Sequence, residues 1–342
     1  MQYKKLGRTG TIVSRICLGT MNWGPHTEEK DAFRLMDMAL DAGINYFDTA
    51  NNYGAAGTIG YKGWTEEIIG RWFAQGGNRR ERVVLATKLY DNMQSDRDGI
   101  NNFQGLSSRK IRRHLEDSLV RLQTDHVDVY QMHHVDRHAG WEELWEAFEG
   151  AVRAGKTIHI GASNFAAWHL AKAQAAAKGR NFMGIVSTQE KYNLLCRLLE
   201  LEVLPACQDF GIAFNAWSPL DGGMLNGKAF SPDAGSRGTA RDKDGNFTYN
   251  AAYAEAHRAK FEAFSDLCAE IGENEAVVAM AWLLSNPGLT SVIMGPRTIQ
   301  HLEVGLRATE IELSHDVKAR LEEIFPGPGK RGRHFAPEAY AW

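Results

Sequence analysis

The fold can be read from one short segment, Ile44-Asn45-Tyr46-Phe47-Asp48-Thr49-Ala50-Asn51-Asn52-Tyr53-Gly54. Its first residues, Ile44 to Phe47, are typical of a short buried strand. Asp48 lies at the carboxyl end of that strand, and Tyr53 follows in a polar loop that ends at Gly54. A carboxylate and a phenol so close together at the exit of a buried strand are unusual, so this loop is a candidate functional site.

The same pattern recurs in two further apolar segments. Strand 83–88 ends in Lys88, and strand 127–133 ends in His133. The other strands are predicted at residues 15–18, 158–163, 185–189, 213–217 and 292–294. Helices are predicted at residues 27–43, 65–76, 107–122, 141–154, 166–178, 199–209, 254–271, 274–286, 299–307 and 314–325. Strict alternation predicts a parallel sheet, and eight strands predict a closed (β/α)8 TIM barrel in the α/β class.

The flanking segments lie outside that repeat. Residues 3–14 are predicted to form a short hairpin that makes a plug or a lid. No composition break or linker divides the chain, so we expect a single domain over residues 1–342. The tail 326–342, which follows an extra C-terminal helix, has no helical pattern. We expect it to fold back as a wall of the site through its aromatic residues Phe335, Tyr340 and Trp342.

Composition excludes several classes of function. A net charge of -3 and a pI near 6.5 give no general attraction to nucleic acid or to anionic membranes. No apolar run is long enough to cross a bilayer, and residues 1–7 lack the apolar core of a signal peptide. The four cysteines are far apart and show no CxxC spacing. Free thiols in a cytoplasmic protein are therefore expected.

The strand ends carry the chemistry. The active site of a (β/α)8 barrel lies at the carboxyl ends of its strands, so Asp48, Tyr53, Lys88 and His133 are predicted to meet there. A phenol, whose ordinary pKa is about 10, is a useful acid near neutrality only when a cation stabilises the phenolate. Lys88 is a candidate for that cation. This combination of residues indicates an enzyme.

The run 133–138, with the sequence HHVDRH, leaves a second interpretation open. Histidine and aspartate are common metal ligands, so a metal-dependent barrel hydrolase is the alternative. No second histidine cluster lies at another strand end, and we therefore predict no metal site. Strand alternation places His133 on the same face as Gln131 and His134 on the opposite face.

Over nearly its whole length the chain resembles the aldo-keto reductase superfamily. The resemblance is carried by five motifs in order: DTANNYG at 48–54, ATK at 86–88, DVYQMH at 128–133, GASNF at 161–165 and WSPL at 217–220. It implies that the enzyme reduces an aldehyde or ketone to an alcohol, or catalyses the reverse. By the resemblance, Tyr53 donates the proton, Lys88 activates Tyr53, Asp48 holds Lys88 in place, and His133 orients the carbonyl oxygen.

The resemblance also implies a nicotinamide cofactor. It assigns Ser163, Asn164 and Gln189 to the carboxamide, and Trp217 to stacking on the nicotinamide. It assigns Ser218, Leu220 and Gly222 to the pyrophosphate, and Lys228 and Arg237 to a loop that closes over the pyrophosphate. Thr20, Met21 and Asp48 are further cofactor residues by the same resemblance. No GxGxxG motif of the Rossmann type precedes a helix, which fits a barrel.

The cofactor phosphate has a candidate site at the last strand. Gly295, Arg297 and His301 lie at the start of a predicted helix, and a helix N-terminus beside an arginine suits a phosphate dianion. This arrangement favours NADPH/NADP+, with NADH as the alternative. The chain departs from the commoner family pattern at His301, Val304 and Gly305, where Gln, an acidic residue and Asn are frequent, so the usual polar grip on adenine is weakened.

Substrate walls are expected from loops. The candidates are Trp23, Tyr90, the segment 91–106, the segment from His134 to Trp141, and the aromatic tail. Segments 61–67, 130–137 and 295–298 resemble a branch that includes ketoreductases of nucleotide-linked keto-deoxyhexoses, which implies a sugar-like or bulky cyclic carbonyl. A second alternative is a cofactor-binding regulatory subunit, like the potassium-channel β subunits built on this fold. The sequence leaves open whether the protein forms a homo-oligomer.

Overall fold

A computed structural model of the chain describes residues 1–93, 96–230 and 251–328. Its strands, in chain order, are β1 (Tyr3–Lys5), β2 (Ile12–Ser14), β3 (Ile16–Gly19), β4 (Tyr46–Asp48), β5 (Ala55–Ala56), β6 (Ile59–Gly60), β7 (Val84–Leu89), β8 (Val127–Met132), β9 (Thr157–Ser163), β10 (Ile185–Lys191), β11 (Ala213–Trp217) and β12 (Leu289–Met294). Its α-helices are α1 (Glu29–Asp41), α2 (Trp64–Phe73), α3 (Ser108–Leu122), α4 (Trp141–Arg153), α5 (Ala167–Gly179), α6 (Val203–Phe210), α7 (Ala251–Ala256), α8 (Arg258–Glu270), α9 (Glu275–Ser285), α10 (Ile299–Ala308) and α11 (His315–Ile324).

Eight of these strands close into a parallel barrel. The order around the barrel is β10-β11-β12-β3-β4-β7-β8-β9, and every neighbouring pair is parallel. Helices connect successive strands, so the predicted (β/α)8 TIM barrel of the α/β class is confirmed. Because the strands are parallel, the residues that follow each of them lie at one mouth of the barrel.

Side-chain alternation builds an inner and an outer layer of the core. In β4, Tyr46 packs inside the barrel in a cluster that includes Ala86 and Val129. Phe47, the next residue, points outward and stacks on Trp72 of α2 with ring centroids 5.7 Å apart. The period of two along each strand therefore directs polar residues such as Asp48 into the barrel interior.

The N-terminal hairpin closes the barrel at the end opposite that mouth. Strands β1 and β2 pair antiparallel, and Leu6 is fully buried beneath the inner cluster. The turn lies on the loop before β11, where the N–H of Arg8 donates to the carbonyl of Gly211 at 2.9 Å. Gly7 has φ +59°, and a Cβ there would lie 2.5 Å from the carbonyl oxygen of Val186. The hairpin is thus a plug, remote from the strand exits.

Local differences from the prediction have simple causes. The helix expected at 254–271 is divided into α7 and α8, because His257 leaves helical geometry with φ −121°. The helix expected at 199–209 begins at Val203, after a short 3₁₀ turn. The β5–β6 hairpin was not predicted because strands of two residues show no alternation.

The expectation that the aromatic tail forms a wall of the site concerns residues outside the described ranges. Within those ranges, no helix is both long enough and apolar enough to span a bilayer.

Candidate active site

An ion pair joins the ends of β4 and β7. The ammonium of Lys88 donates to Asp48 Oδ2 at 2.6 Å, to the carbonyl of Thr49 at 2.9 Å and to the hydroxyl of Tyr53 at 3.1 Å. Asp48 is 3% exposed and Lys88 is 1% exposed, so water does not compete for these contacts. The three donors of the ammonium are all used, which fixes its position relative to the phenol.

The charge state of Lys88 follows from its neighbours. Burial alone would lower the pKa of Lys88, but the carboxylate of Asp48 and the phenol of Tyr53 outweigh that effect and raise the pKa above its ordinary value. Lys88 therefore remains a cation throughout the neutral range. The structure thus supplies the buried positive charge that the sequence predicts beside Tyr53.

Two amides hold the other oxygen of Asp48. Gln131 of β8 donates its Nε2 to Asp48 Oδ1 at 3.1 Å, and Gln189 of β10 does the same at 2.5 Å. The carboxylate is therefore fixed by three strands besides its own, and cannot turn away from Lys88. Gln131 was missed as a site residue. The available signal was its position two residues before His133, on the same face of the strand.

The loop after β4 orients Tyr53. The N–H of Thr49 donates to the carbonyl of Ala86 at 2.9 Å, and that of Asn51 donates to the carbonyl of Lys88 at 3.1 Å. Gly54 then takes φ +108°, a conformation that favours glycine, and a Cβ there would lie 2.6 Å from Cβ of Trp64. The loop is tied to β7 along its first half, so Tyr53 stays within reach of Lys88.

Four aromatic rings form a chain of contacts that begins at Tyr53. The ring of Tyr53 lies edge-on to His133 at 5.8 Å, His133 stacks on His134 at 5.2 Å, and His134 lies edge-on to Tyr90 at 5.1 Å between centroids. His133 and Tyr90 are half-buried, whereas His134 is exposed. The structure therefore brings His133 to Tyr53 and places the two predicted substrate residues His134 and Tyr90 beyond it.

Trp23 does not lie on this wall. Its side chain is fully buried, and its Nε1 donates to the carbonyl of Pro296 at 3.4 Å. It belongs to the core outside the strands and presents no surface to a substrate. The predicted substrate residue Trp23 is therefore placed apart from the rings of Tyr53, His133, His134 and Tyr90. An aromatic residue just after a strand reads the same in sequence whether it faces the pocket or the core.

A cluster of amides and hydroxyls lies at the ends of β9 and β10. Ser163 donates its hydroxyl to the carbonyl of Gln189 at 2.9 Å. Asn164 has φ +61°, and its Nδ2 lies 3.0 Å from the carbonyl of His133 and 3.0 Å from Ser163 Oγ. The predicted carboxamide-binding residues Ser163, Asn164 and Gln189 are thus brought together beside His133 and Asp48.

The chain turns sharply after Trp217, the last residue of β11. Backbone φ is positive at Ser218 (57°), Asp221 (48°), Gly222 (68°) and Gly223 (104°). Two contacts hold the turn: Asn193 donates to the carbonyl of Ser218 at 2.8 Å, and Lys191 pairs with Asp221 at 2.6 Å. Leu220 is half-buried and Lys228 is exposed, whereas Arg237 lies outside the described residues. Such turns present backbone N–H groups to an anion.

A helix N-terminus completes this side of the mouth. Thr298 caps α10 by accepting the N–H of His301, and the N–H of Arg297 donates to Nδ1 of His301 at 3.3 Å. Gly295 lies just before this helix N-terminus in the chain, and the Asn22 side chain donates to the carbonyl of Gly295 at 3.1 Å. Thr20 is buried and donates its hydroxyl to the carbonyl of Asp48 at 3.0 Å, and Met21, which follows it, is half-buried.

Gly305 explains one departure from the commoner pattern. A Cβ at this position of α10 would lie 2.2 Å from Met294 Sδ. A larger side chain at 305 would therefore require the thioether of Met294, at the end of β12, to move aside.

A comparison with known protein families agrees with the geometry at the carboxyl ends of the strands. The model of the Aldo/keto reductase family matches residues 15–325. The chain belongs to the aldo/keto reductase family. The resemblance carried by the five motifs is confirmed, and the protein is an oxidoreductase of this family.

Relatives within the family differ in what their names record. The chain is 57% identical, over the full length of both proteins, to the "Uncharacterized oxidoreductase YrpG" of Bacillus subtilis. It is 30% identical to the "Probable voltage-gated potassium channel subunit beta" of Oryza sativa, covering 97% of this chain and 98% of the relative. It is also 30% identical to the "Versiconal hemiacetal acetate reductase" of Aspergillus parasiticus, covering 95% of this chain and 97% of the relative.

In the described parts of the chain, the alternative of a metal-dependent hydrolase has no cluster of ligand side chains to support it. There, no three His, Cys, Asp or Glu side chains are arranged as metal ligands would be. His133 and His134 stack on each other, and they lie edge-on to Tyr53 and Tyr90 respectively.

Proposed function

We propose that the protein is an NADPH-dependent carbonyl reductase, which reduces an aldehyde or ketone to an alcohol or catalyses the reverse. The observation that carries the proposal is the 3.1 Å contact between the buried Lys88 ammonium and the Tyr53 hydroxyl. Reduction of a carbonyl places negative charge on its oxygen. An acid beside that oxygen stabilises the charge and completes the alcohol.

Each of the four residues has a distinct role in this proposal. Tyr53 donates its hydroxyl proton to the carbonyl oxygen, and Lys88 stabilises the phenolate that remains. Asp48 keeps Lys88 charged and in place, because both are buried and 2.6 Å apart. His133, half-buried beside the Tyr53 ring, hydrogen-bonds the same oxygen and fixes the orientation of the substrate.

The strand exits fit a nicotinamide cofactor, which when bound supplies the hydride. The carboxamide has both a donor and an acceptor, and the hydroxyl of Ser163 with the amides of Asn164 and Gln189 offers complementary groups. Trp217 ends the neighbouring strand, where its indole face can cover the nicotinamide ring. Thr20 and Met21 directly follow β3, and the Thr20 hydroxyl donates to the carbonyl of Asp48.

The remaining cofactor residues suit the phosphates. The turn from Ser218 to Gly223, with its four positive φ values, provides a nest for the pyrophosphate. Lys228, and by the resemblance Arg237, supply positive charge in the following loop. Gly295, Arg297 and His301 surround the N-terminus of α10, where the helix dipole favours a dianion. This second phosphate position is the reason to propose NADPH over NADH.

The cofactor preference can be tested with Arg297→Ala. Titration with NADPH should quench tryptophan fluorescence through Trp217, and the substitution should weaken NADPH binding by about 10- to 100-fold without changing NADH binding. Arg307→Ala is the matched control, because Arg307 lies near the other end of α10 and pairs with Glu273 and Glu310. Equal binding of both cofactors, indifferent to Arg297, would indicate an NAD-linked alcohol oxidiser. No binding of either would overturn the reductase proposal.

For the substrate, we propose a sugar-like or bulky cyclic carbonyl, such as a nucleotide-linked keto-deoxyhexose. The support is the chain of ring contacts from Tyr53 through His133 and His134 to Tyr90, since wide rings stack on sugar or polycyclic faces. The name of the Aspergillus relative records a reductase, which agrees with carbonyl chemistry. We expect turnover of such ketones with NADPH, measured by loss of its absorbance. Turnover of simple aldehydes alone would contradict this substrate class.

A regulatory role is the second candidate, favoured by the likeness to the rice relative named as a channel subunit beta. Such a protein would bind the cofactor, turn over slowly and co-purify with a larger membrane partner. Tagged protein isolated from its native cells would decide the point: a stoichiometric membrane partner together with slow turnover of every carbonyl would favour this role. We also propose a cytoplasmic location, because all four cysteines are free thiols. The oligomeric state can be measured by light scattering on the same protein.

A further inference from the structure

One buried carboxyl beside the proposed cofactor site takes no part in the chemistry described above. Glu190 follows Gln189 in β10 and is 4% exposed. Successive side chains of a strand point to opposite faces, so Gln189 reaches Asp48 inside the barrel while Glu190 lies on the outer face. Cys207 of α6 is close to it there. Within the described ranges, Glu190 is paired with no cation.

The carboxylate of Glu190 joins two segments of the site. Its Oε1 accepts the backbone N–H of Phe165 at 2.9 Å and the hydroxyl of Thr188 at 2.6 Å. Phe165 directly follows Asn164 in the turn between β9 and α5. The end of β10, which carries Gln189, is thereby tied to the turn that carries Asn164.

Asn164 needs such a restraint. Its φ of +61° lies in the left-handed region, which costs conformational free energy even for asparagine and persists only when neighbours hold it. In this conformation its backbone N–H donates to the carbonyl of Gln189 at 3.0 Å. Its amide also lies 3.0 Å from Ser163 Oγ. A relaxed backbone would move the amide away from this position.

A carboxyl at position 190 is unfavourable for stability. Burial raises the pKa of Glu190 to about 8, although the hydrogen bonds from Thr188 and from the backbone of residues 164–165 lower it in part. At neutral pH this carboxyl is therefore mostly protonated, and a buried polar group is usually less favourable for stability than an apolar side chain of similar volume. The energetic cost indicates a task other than stabilising the barrel.

We propose that Glu190 is a positioning residue of the cofactor site. By accepting the N–H of Phe165, it holds Asn164 in the left-handed conformation and so orients the Asn164 amide toward the nicotinamide carboxamide. The inference rests on the proposed function, because it takes Asn164 as a ligand of that carboxamide.

The test compares two ligands by calorimetry. NADPH contains the nicotinamide, whereas 2′-phospho-ADP-ribose lacks it and contacts only the phosphate and adenosine parts of the site. Glu190→Met should weaken NADPH binding about tenfold and leave 2′-phospho-ADP-ribose binding unchanged. Glu190→Gln, which keeps an oxygen acceptor, should recover most of the NADPH affinity. In an Asn164→Ala background, Glu190→Met should have no further effect.

Several results would overturn the inference. These are unchanged NADPH affinity in Glu190→Met, equal losses for both ligands, or losses that add independently to those of Asn164→Ala. Melting curves show whether each variant is folded, and Glu190→Leu gives the same comparison if the methionine variant is not. Wild type that binds neither ligand would overturn the proposed function together with this inference. Wild type that binds both, with variants indistinguishable from it, would overturn this inference alone.

Discussion

Tyr53→Phe should lower kcat by about 10²- to 10⁴-fold, the range expected when a general acid is lost. The phenyl ring still packs against His133, whose centroid lies 5.8 Å away, so the shape of the mouth is kept. Lys88 loses one of its three acceptors but retains Asp48 and the carbonyl of Thr49. NADPH affinity, measured by fluorescence titration, should therefore be unchanged, and the loss should appear in kcat measured with a carbonyl substrate.

Tyr61→Phe is the matched control, because Tyr61 lies in the same connection between β4 and α2. Its hydroxyl donates to Glu67 at 2.6 Å, and burial together with that hydrogen bond raises the pKa of Tyr61 to about 12. The hydroxyl of Tyr61 is held by Glu67, whereas that of Tyr53 is held by Lys88, so the control should keep full activity. Loss of activity in the control, or activity kept in Tyr53→Phe, would contradict the assignment of the proton donor.

The barrel could be predicted because its signals are local. Each strand is an apolar run of a few residues that ends at a polar one, and each helix begins and ends near residues typical of helix termini. The period of two then decides which side chains enter the barrel, as for Asp48 and Tyr46. The features that were not predicted are the break at His257 and the two-residue strands β5 and β6, which carry no periodic signal.

The candidate active site could be predicted from the sequence about as well as the barrel. Asp48, Tyr53, Lys88 and His133 could be placed together because parallel strands put their exits at one mouth. Trp23 could not be placed, since an aromatic residue after a strand packs equally well in the core, and here it is fully buried. Gln131 and Glu190 escaped notice because their roles arise from partners on other strands, Asp48 and Phe165.

Lys88→Met should abolish activity and also destabilise the fold by about 3–5 kcal/mol, because it leaves the Asp48 carboxylate buried without its cation. Asp48 is 3% exposed, and Gln131 and Gln189 supply only neutral donors to its other oxygen. Urea denaturation measures the loss of stability, and turnover with NADPH measures the loss of activity.

The double variant Asp48→Asn/Lys88→Met separates these two effects. It removes both charges, so we expect much of the stability to return, since replacing a whole buried pair is often neutral or stabilising. Activity should stay lost, because no cation remains beside Tyr53. Burial alone would lower the pKa of Lys88, yet its partners raise it above 10.5 in the folded protein. A raised pKa means that the contribution of Lys88 to stability is complete below the unfolded value and is lost only as pH rises beyond it.

The stability difference between wild type and the double variant should therefore be constant between about pH 6 and pH 9 as far as Lys88 is concerned. A wild-type stability that rises with pH relative to the double variant in this range would mean that Lys88 loses its proton in the folded protein, because the unfolded chain would then bind more protons. Recovery of activity in the double variant would show that Tyr53 needs no cation. If the buried charge of Lys88 serves proton transfer by Tyr53 rather than the fold, we expect the Asp48–Lys88 pair to contribute little net stability and to be indispensable for turnover.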